Sequence, residues 1–483
     1  MAKQDLRDFL GIEKAKNGHE AEVLDEDKID WTFKEADVKK DVHGLHPYPA
    51  RMVPQGVEKL IKIFSSKAEE AIGHRNWAIY DPFCGSGTVL TEGKRLGFNV
   101  YGTDINPLAI IIAQVKATPI PKKRLENAWT ILKRNYIRSW KKTGYKEIED
   151  PQIPRLDFWF KPQVIQRLKV IKKSIWDLEK FNIEEDTINF FKVCFSITVR
   201  KVSNNRQGEF KLYRLAKKDL EKWNPNVFET FETRVLDSIK RMHQFFKIAQ
   251  NSAVGKAVLY NSKTYTPPEP IGLVITSPPY GDHKTTVAYG QFSRYSAYWL
   301  GFHQENVSQI DNNGLGGRIK NYNVDKISLS KYGSEYLSET INAIIKGDQE
   351  ATQEKREREI EKAKKEGRTP DLTVKSNPRI NSVITFFDEY FMVIKNVYEN
   401  LLSGGYACFV TGNRTVRRYR IPTHEITREF GIKVGFRHYK TLERSIPTKT
   451  MPWENAPSNV IGDKGQTMAT EHIVILFKPK ANE

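Results

Sequence analysis

The segment WAIYDPFCGSGTVLTEGKRLGFNVYGTDINPLAI (77–110) constrains the fold more than any other part of the chain. A short apolar strand ends at Asp81, a tight loop Phe83-Cys84-Gly85-Ser86-Gly87 opens a helix, and a second strand, FNVYGTD, ends on Asp104. Such a strand–loop–helix–strand unit makes a parallel pair and holds nucleotide-like ligands at the strands' carboxyl ends. Glycines belong in that loop because the backbone turns sharply and approaches the ligand with no side chain in the way. A dinucleotide fingerprint would need a third glycine where Leu90 stands, and a phosphate-binding loop would need glycine at Thr88 and Ser or Thr at Arg95. The segment therefore predicts an adenosine ligand without a polyphosphate, with Asp104 accepting hydrogen bonds from two ribose hydroxyls.

A second segment, IGLVITSPPYGDHKTTVAYGQFSRYSAYWLGF (271–302), begins as a buried parallel strand and stops abruptly at Ser277-Pro278-Pro279-Tyr280. Two prolines end the ladder and stiffen the backbone, so that a carbonyl points outward.

The pairing of these motifs resembles the amino-methylating DNA methyltransferases that use S-adenosylmethionine. Phe83, Gly85 and Gly87 match their FxGxG cofactor loop, and SPPY matches their catalytic motif (S/D/N/T)PP(Y/F/W). Further likeness lies in HPYPARMVPQ (46–55), GDHKTTVAYGQFSR (281–294), ERSIPTKTMP (443–452) and EHIVILF (471–477), the last two similar to the cytosine-N4 branch. The resemblance implies a doubly wound, mostly parallel α/β sheet of the class I methyltransferase type. It implies S-adenosylmethionine held by Tyr48, Pro49, Asp81, Phe83, Gly85, Gly87 and Asp104, with Asn261 facing the adenine or serving as a plain loop asparagine. It implies methylation of a cytosine N4 amine in double-stranded DNA after base flipping. Such an amine is a poor nucleophile because its lone pair is delocalised into the ring; on this resemblance Ser277 Oγ and the Pro278 carbonyl accept hydrogen bonds from it, Pro279 stiffens the loop and Tyr280 stacks on the base. Positioning and fixed dipoles would carry the reaction, with no perturbed side-chain pKa required. Adenine N6 is the nearest alternative, an RNA guanine amine a more distant one, and a non-catalytic DNA-binding protein on this fold the alternative of another class. A host-protection role beside a separate restriction endonuclease is implied by family alone.

Composition agrees with a polyanionic partner. The 483 residues carry 77 Lys+Arg against 59 Asp+Glu, a net +18, and residues 121–250 alone hold 29 basic and 16 acidic residues, or +13. Within that helical stretch Arg200, Lys201, Arg206, Lys211 and Arg214 lie among Asn, Gln, Phe and Tyr, a mixture suited to phosphates and base edges or to a solvated basic face. Arg444 and Lys449, in a proline-stiffened basic loop, are a further phosphate clamp or a plain surface loop. Three scattered cysteines, none after a proline, exclude a disulfide scaffold and the cysteine nucleophile of C5-cytosine methylation. His43, His46 and His283 show no metal-ligand spacing, so no metal is expected. With no apolar run of bilayer length and a polar start, the chain reads as a cytoplasmic, DNA-associated protein.

Strands are expected at 77–81, 99–104, 256–260, 271–276, 406–411 and 471–477. Residues 1–40 read as an N-terminal arm, and 41–117, 251–302 and 376–483 as the catalytic domain. Residues 118–250 read as a helical insertion and candidate target-recognition region. The polar stretch 303–375, its charges spaced as in a solvated helix or linker, is the rival recognition region.

Overall fold

The computed structural model describes residues 25–142, 144–281, 289–322, 329–446, 454–455, 465–466 and 470–480. Its principal sheet contains β1 (Ala78–Asp81), β2 (Val100–Asp104), β3 (Gly255–Leu259), β4 (Ile271–Thr276), β5 (Leu401–Gly412), β6 (Arg437–Ser445) and β7 (Thr470–Phe477). They lie in the order β3-β2-β1-β4-β5-β7-β6. Strands β1 to β5 run parallel, and β7 is antiparallel to both β5 and β6. This is the class I S-adenosylmethionine-dependent methyltransferase fold.

Side chains alternate across the sheet as the pleat requires. Ile79, Leu273, Ile275, Cys408 and Ile475 face α1 (Pro54–Ile72) and α2 (Thr88–Arg95). Tyr80, Val274, Phe409 and Val474 face the other core, which α9 (Glu335–Glu366), α10 (Ile380–Asn400) and α11 (Thr423–Val434) complete further along the chain. Every residue of β4 is buried, which is why its sequence is one apolar run.

Between β2 and β3, after the crossover helix α3 (Pro107–Ala117), come α4 (Lys122–Lys141), α5 (Pro162–Trp176), α6 (Glu185–Val202) and α7 (Val227–Ile248). Their apolar stripes share a third core with α3 and with α8 (Tyr289–Trp299), the helix that follows the SPPY segment. The polar stretch 347–371 supplies most of α9, a helix capped by Ser334 and ended by Gly367 at φ 66°. Arg358–Glu354, Lys362–Glu366 and Lys365–Glu361 pairs lie along it at four-residue spacing.

The chain lays β2 and β3 on one side of β1, then returns to lay β4 and β5 on the other. The β1–β4 boundary is thus the topological switch point, where a crevice opens at the strand ends. Sheet order alone brings Phe83–Gly87 and Ser277–Tyr280 side by side.

Tight packing of β4 makes one residue irreplaceable. A Cβ on Gly272 would lie 2.2 Å from the Trp77 ring. Gly272→Ala should lower stability by roughly 1–3 kcal/mol through overpacking, read as a reduced denaturant midpoint with unchanged slope.

Candidate active site

Asp81 sits at the end of β1, wholly buried. Its Oδ1 accepts from the Phe83 amide at 3.1 Å and from the Thr276 hydroxyl at 2.7 Å, which ties the glycine loop to the last residue of β4. Its Oδ2 is buried and has no hydrogen-bond partner among the described residues. Burial pushes this carboxyl up to about 7, against the downward pull of the Thr276 and Phe83 hydrogen bonds. Asp104 accepts from the Gly85 amide at 3.0 Å through Oδ2 and from the Asn106 amide at 2.8 Å through Oδ1. Burial raises it to about 6.

An open cleft of about 1010 Å³, its solvent-facing part included, runs along these strand ends. Tyr48, Phe83, Gly85, Asp104, Asn261, Ser277 and Pro279 line it, so residues expected from both central motifs share one cavity. Gly85 has φ 47°, and a Cβ there would stand 3.4 Å from the Tyr48 ring across the cleft. Tyr48 is held from behind: Asn106 Nδ2 donates to its hydroxyl at 3.0 Å and to Ser293 Oγ at 2.7 Å. Ala50, also at the cleft, takes the left-handed φ of 50° that a non-glycine residue rarely adopts.

Other expected residues take different places. Gly87, at φ 78°, permits close packing, since a Cβ there would meet Ala113 of α3 at 2.7 Å. Pro49 and Pro278 are buried beside the cleft without lining it, and the Asn261 carbonyl oxygen of the side chain accepts from the Lys263 amide at 3.0 Å. The Tyr280 hydroxyl donates to Glu471 Oε1 at 2.9 Å.

The basic residues divide. Lys201, Arg206 and Arg214 are exposed and Lys211 half-buried, but Arg214 also lies over the Phe158 ring and donates to its carbonyl at 3.0 Å. Two expected phosphate ligands need correction. Arg200 turns inward, its guanidinium 4.3 Å from the Phe292 ring centroid and donating to the Phe292 carbonyl. Arg444, 9% exposed, pairs with Glu471 at 3.4 Å. Arg200 lies in a helix and Arg444 in a strand, and only tertiary packing decides that these positions turn inward. Lys449 and His283 lie outside the described residues.

Sequence reading missed Asn106, Tyr289 and the wall Ile310–Leu315, all at the cleft. Asn106 carried a signal, an Asn-Pro pair opening a helix directly after Asp104. Arg414, after β5, donates to the Gly281 carbonyl, and a Cβ on Gly281 would lie 2.7 Å from that guanidinium. Gly281 therefore ends the SPPY loop in a conformation, φ 79°, that lets Arg414 close on it.

The sequence pattern of the N6/N4 DNA methylase family matches residues 2–115. The Type II methyltransferase M.MvaI of Kocuria varians is 36% identical over 459 residues, 92% of each chain. The Type II methyltransferase M.MjaII of Methanocaldococcus jannaschii is 37% identical over 94 residues, 18% of this chain and 16% of that one. The rRNA methyltransferase aviRa of Streptomyces viridochromogenes overlaps 89% of this chain and 88% of its own at 9% identity and a TM-score of 0.26, too loose a superposition to inform either fold or function.

The raised carboxyls make a measurable pH signature. A carboxyl that binds its proton more tightly when folded adds stability that is complete below about pH 4 and lost as pH rises through its folded value, near 7 for Asp81. Asp81→Asn removes that loss. The unfolding free energy of the variant from urea titrations, relative to the unmodified chain, should rise progressively between about pH 4 and pH 7, by up to roughly 4 kcal/mol; a constant difference would remove Asp81 as the source.

Proposed function

The chain belongs to the N4/N6 family of DNA methyltransferases, and from that premise we propose that it methylates the N4 amine of a cytosine flipped out of double-stranded DNA, with S-adenosylmethionine as donor. The observation that carries this reading is the shared cleft: Ser277 at the end of β4 opens onto the same cavity as Gly85, Asp104 and Asn261. Serine at the first position of the four-residue motif supports cytosine over adenine.

The residues present fit the donor. The close approach of Gly85 to Tyr48 leaves a slot that a side chain would fill, and the unpartnered Asp81 Oδ2 is an acceptor suited to a cationic group. Tyr48, Phe83 and Gly85 would bound the methionine side, with Asp81 beneath them, Pro49 buried next to Tyr48 and Gly87 closing the loop onto α3. Asp104 would accept from the ribose hydroxyls, and Ile105 and Asn261 would flank the adenine. When bound, S-adenosylmethionine supplies a methyl group activated by its sulfonium. Ser277 Oγ and the Pro278 carbonyl accept hydrogen bonds from the target amine, favouring a more tetrahedral nitrogen with its lone pair free to attack. Tyr280 and the two prolines of the motif keep those acceptors in place, so the site needs little reorganisation. Extruding the base costs roughly a few kcal/mol.

The exposed face around residues 201–214 suits the DNA backbone. Its loop is fastened to α8, beside the cleft residue Tyr289: the Leu212 amide donates to Gln291 at 3.3 Å and the Phe210 and Phe292 rings lie 5.7 Å apart. Lys201, Arg206, Phe210 and Tyr213 point to solvent there, a mixture of phosphate-pairing and base-stacking groups. Domain roles follow on this reading: 118–250 carries target recognition and the sheet carries catalysis. No helix among the described residues is long and apolar enough to cross a membrane, and a DNA substrate supports a cytoplasmic location. The Type II relatives support host protection beside a separate restriction endonuclease.

Incubation with labelled S-adenosylmethionine and unmethylated DNA, followed by nucleoside mass spectrometry, should yield N4-methylcytosine, and Ser277→Ala should lower the rate by at least about 100-fold, the scale of losing a positioned transition-state acceptor. N6-methyladenine would keep the mechanism and change the base, whereas label in RNA alone would reject the reading. Replacing Lys201 and Arg206 by Ala should flatten the log–log salt dependence of DNA binding by about 0.9 per lost phosphate contact; an unchanged slope would move the DNA surface elsewhere.

A further inference from the structure

Behind the SPPY loop, Glu471 and Arg444 continue a polar chain that starts at Ser277 and Tyr280. Glu471 stands on β7 in register with Arg444 of β6 and Gly412 of β5. Its Oε1 accepts from the Tyr280 hydroxyl at 2.9 Å, and its Oε2 lies 3.4 Å from Arg444 Nε. On the other side, Ser277 Oγ lies 3.4 Å from the Tyr280 oxygen. The side chains of Glu471 and Arg444 are only 18% and 9% exposed.

Direction follows from the donor inventory. A carboxylate can only accept, so the Tyr280 proton goes to Glu471 and the phenol oxygen keeps its lone pairs for a second donor. The Ser277 proton is the donor in reach. Once it points to Tyr280, the lone pairs of Ser277 Oγ are what remain for a group in the cleft. Burial, reinforced by the Glu471 charge, holds the Tyr280 phenol far above its ordinary value and hence protonated.

We infer that Glu471, anchored by Arg444, is a positioning residue that fixes the direction of the chain from Ser277 through Tyr280, so that Ser277 meets the target amine as a hydrogen-bond acceptor. This rests on the proposed role of Ser277 toward the target amine. Without Glu471 the Tyr280 proton is free to turn toward Ser277, whose own proton then turns into the cleft and opposes the N–H groups of the amine. The site would still hold the cofactor and the base, but only the Pro278 carbonyl would then favour an amine over a carbonyl.

The test is a binding comparison, supported by rates. Duplexes carry the methylated base, once mapped, opposite an abasic position so that unpairing costs are equal. In one duplex the base keeps its amine, and in the other a carbonyl replaces it (uracil for cytosine, hypoxanthine for adenine). In the presence of S-adenosylhomocysteine the wild-type protein should prefer the amine duplex by about tenfold or more, as a site built around one hydrogen-bond polarity does. Glu471→Ala and Tyr280→Phe should cut that preference by about threefold or more while leaving cofactor affinity unchanged, and single-turnover methylation should fall about tenfold or more in each. The double variant should be no slower than the slower single one, because both act through one chain. Glu471→Gln, which keeps one acceptor oxygen and the same shape, should fall between wild type and Glu471→Ala.

Variants that keep the wild-type preference, or rate losses that multiply in the double variant, would overturn the inference while leaving the methyltransferase reading intact. A wild-type protein that methylates no DNA would bring down that reading and this inference with it.

Discussion

One buried carboxylate oxygen joins the two loops that make the site. Asp81 Oδ1 takes a proton donor from the glycine loop and another from the last residue of β4, so neither loop can shift without breaking a buried hydrogen bond. The arrangement has an electrostatic cost, visible in a carboxyl pushed up to about 7. On the function proposed above, a cationic donor bound nearby would offset that cost. Asp104 repeats the pattern on the neighbouring strand, where two backbone amides hold a raised carboxyl at the cleft.

The reversed hairpin at the sheet's edge has a second use beyond completing the fold. By running antiparallel to β5, β7 brings the start of its sequence, Glu471, level with the end of β5, where the SPPY loop also lies. Glu471 reaches Tyr280 from there, and Arg414 at the end of β5 reaches the Gly281 carbonyl. Charged side chains at the ends of three strands thus converge on a four-residue loop with no charge of its own. Arg444 belongs to this group. As a lone basic residue in a sequence it suits a phosphate equally well, and the choice depends on the partner that β7 places opposite it.

Much of this architecture is legible in the amino-acid sequence. The strands β1, β2, β3, β4 and β7 fall within a residue or so of expectation, because each carries a short apolar run bounded by loop residues. β5 begins at Leu401, five residues before the expected 406, with a Ser-Gly-Gly stretch that reads as loop. β6 is not legible at all: RHYKTLERS is an edge strand with mostly exposed or half-exposed residues, and lacks the apolar signal. The wall at 310–315 is equally hidden, since its short helical turn matters only through where the chain returns to the cleft.

The sequence by itself determined the chemistry that must occur at each strand end: glycines where a backbone has to turn at positive φ, acidic residues closing β1 and β2, and a serine with two prolines closing β4. These are local demands, met by residues adjacent in the chain, and local demands leave local signals. Tertiary structure alone decided which strand ends meet and which charges face inward. Asp81 finds Thr276 across 195 residues and Tyr280 finds Glu471 across 191. Arg200 leaves solvent for an aromatic ring that enters the chain 92 residues later. A side chain's partner at such separations is set by sheet order and helix packing, and no spacing within the sequence encodes it.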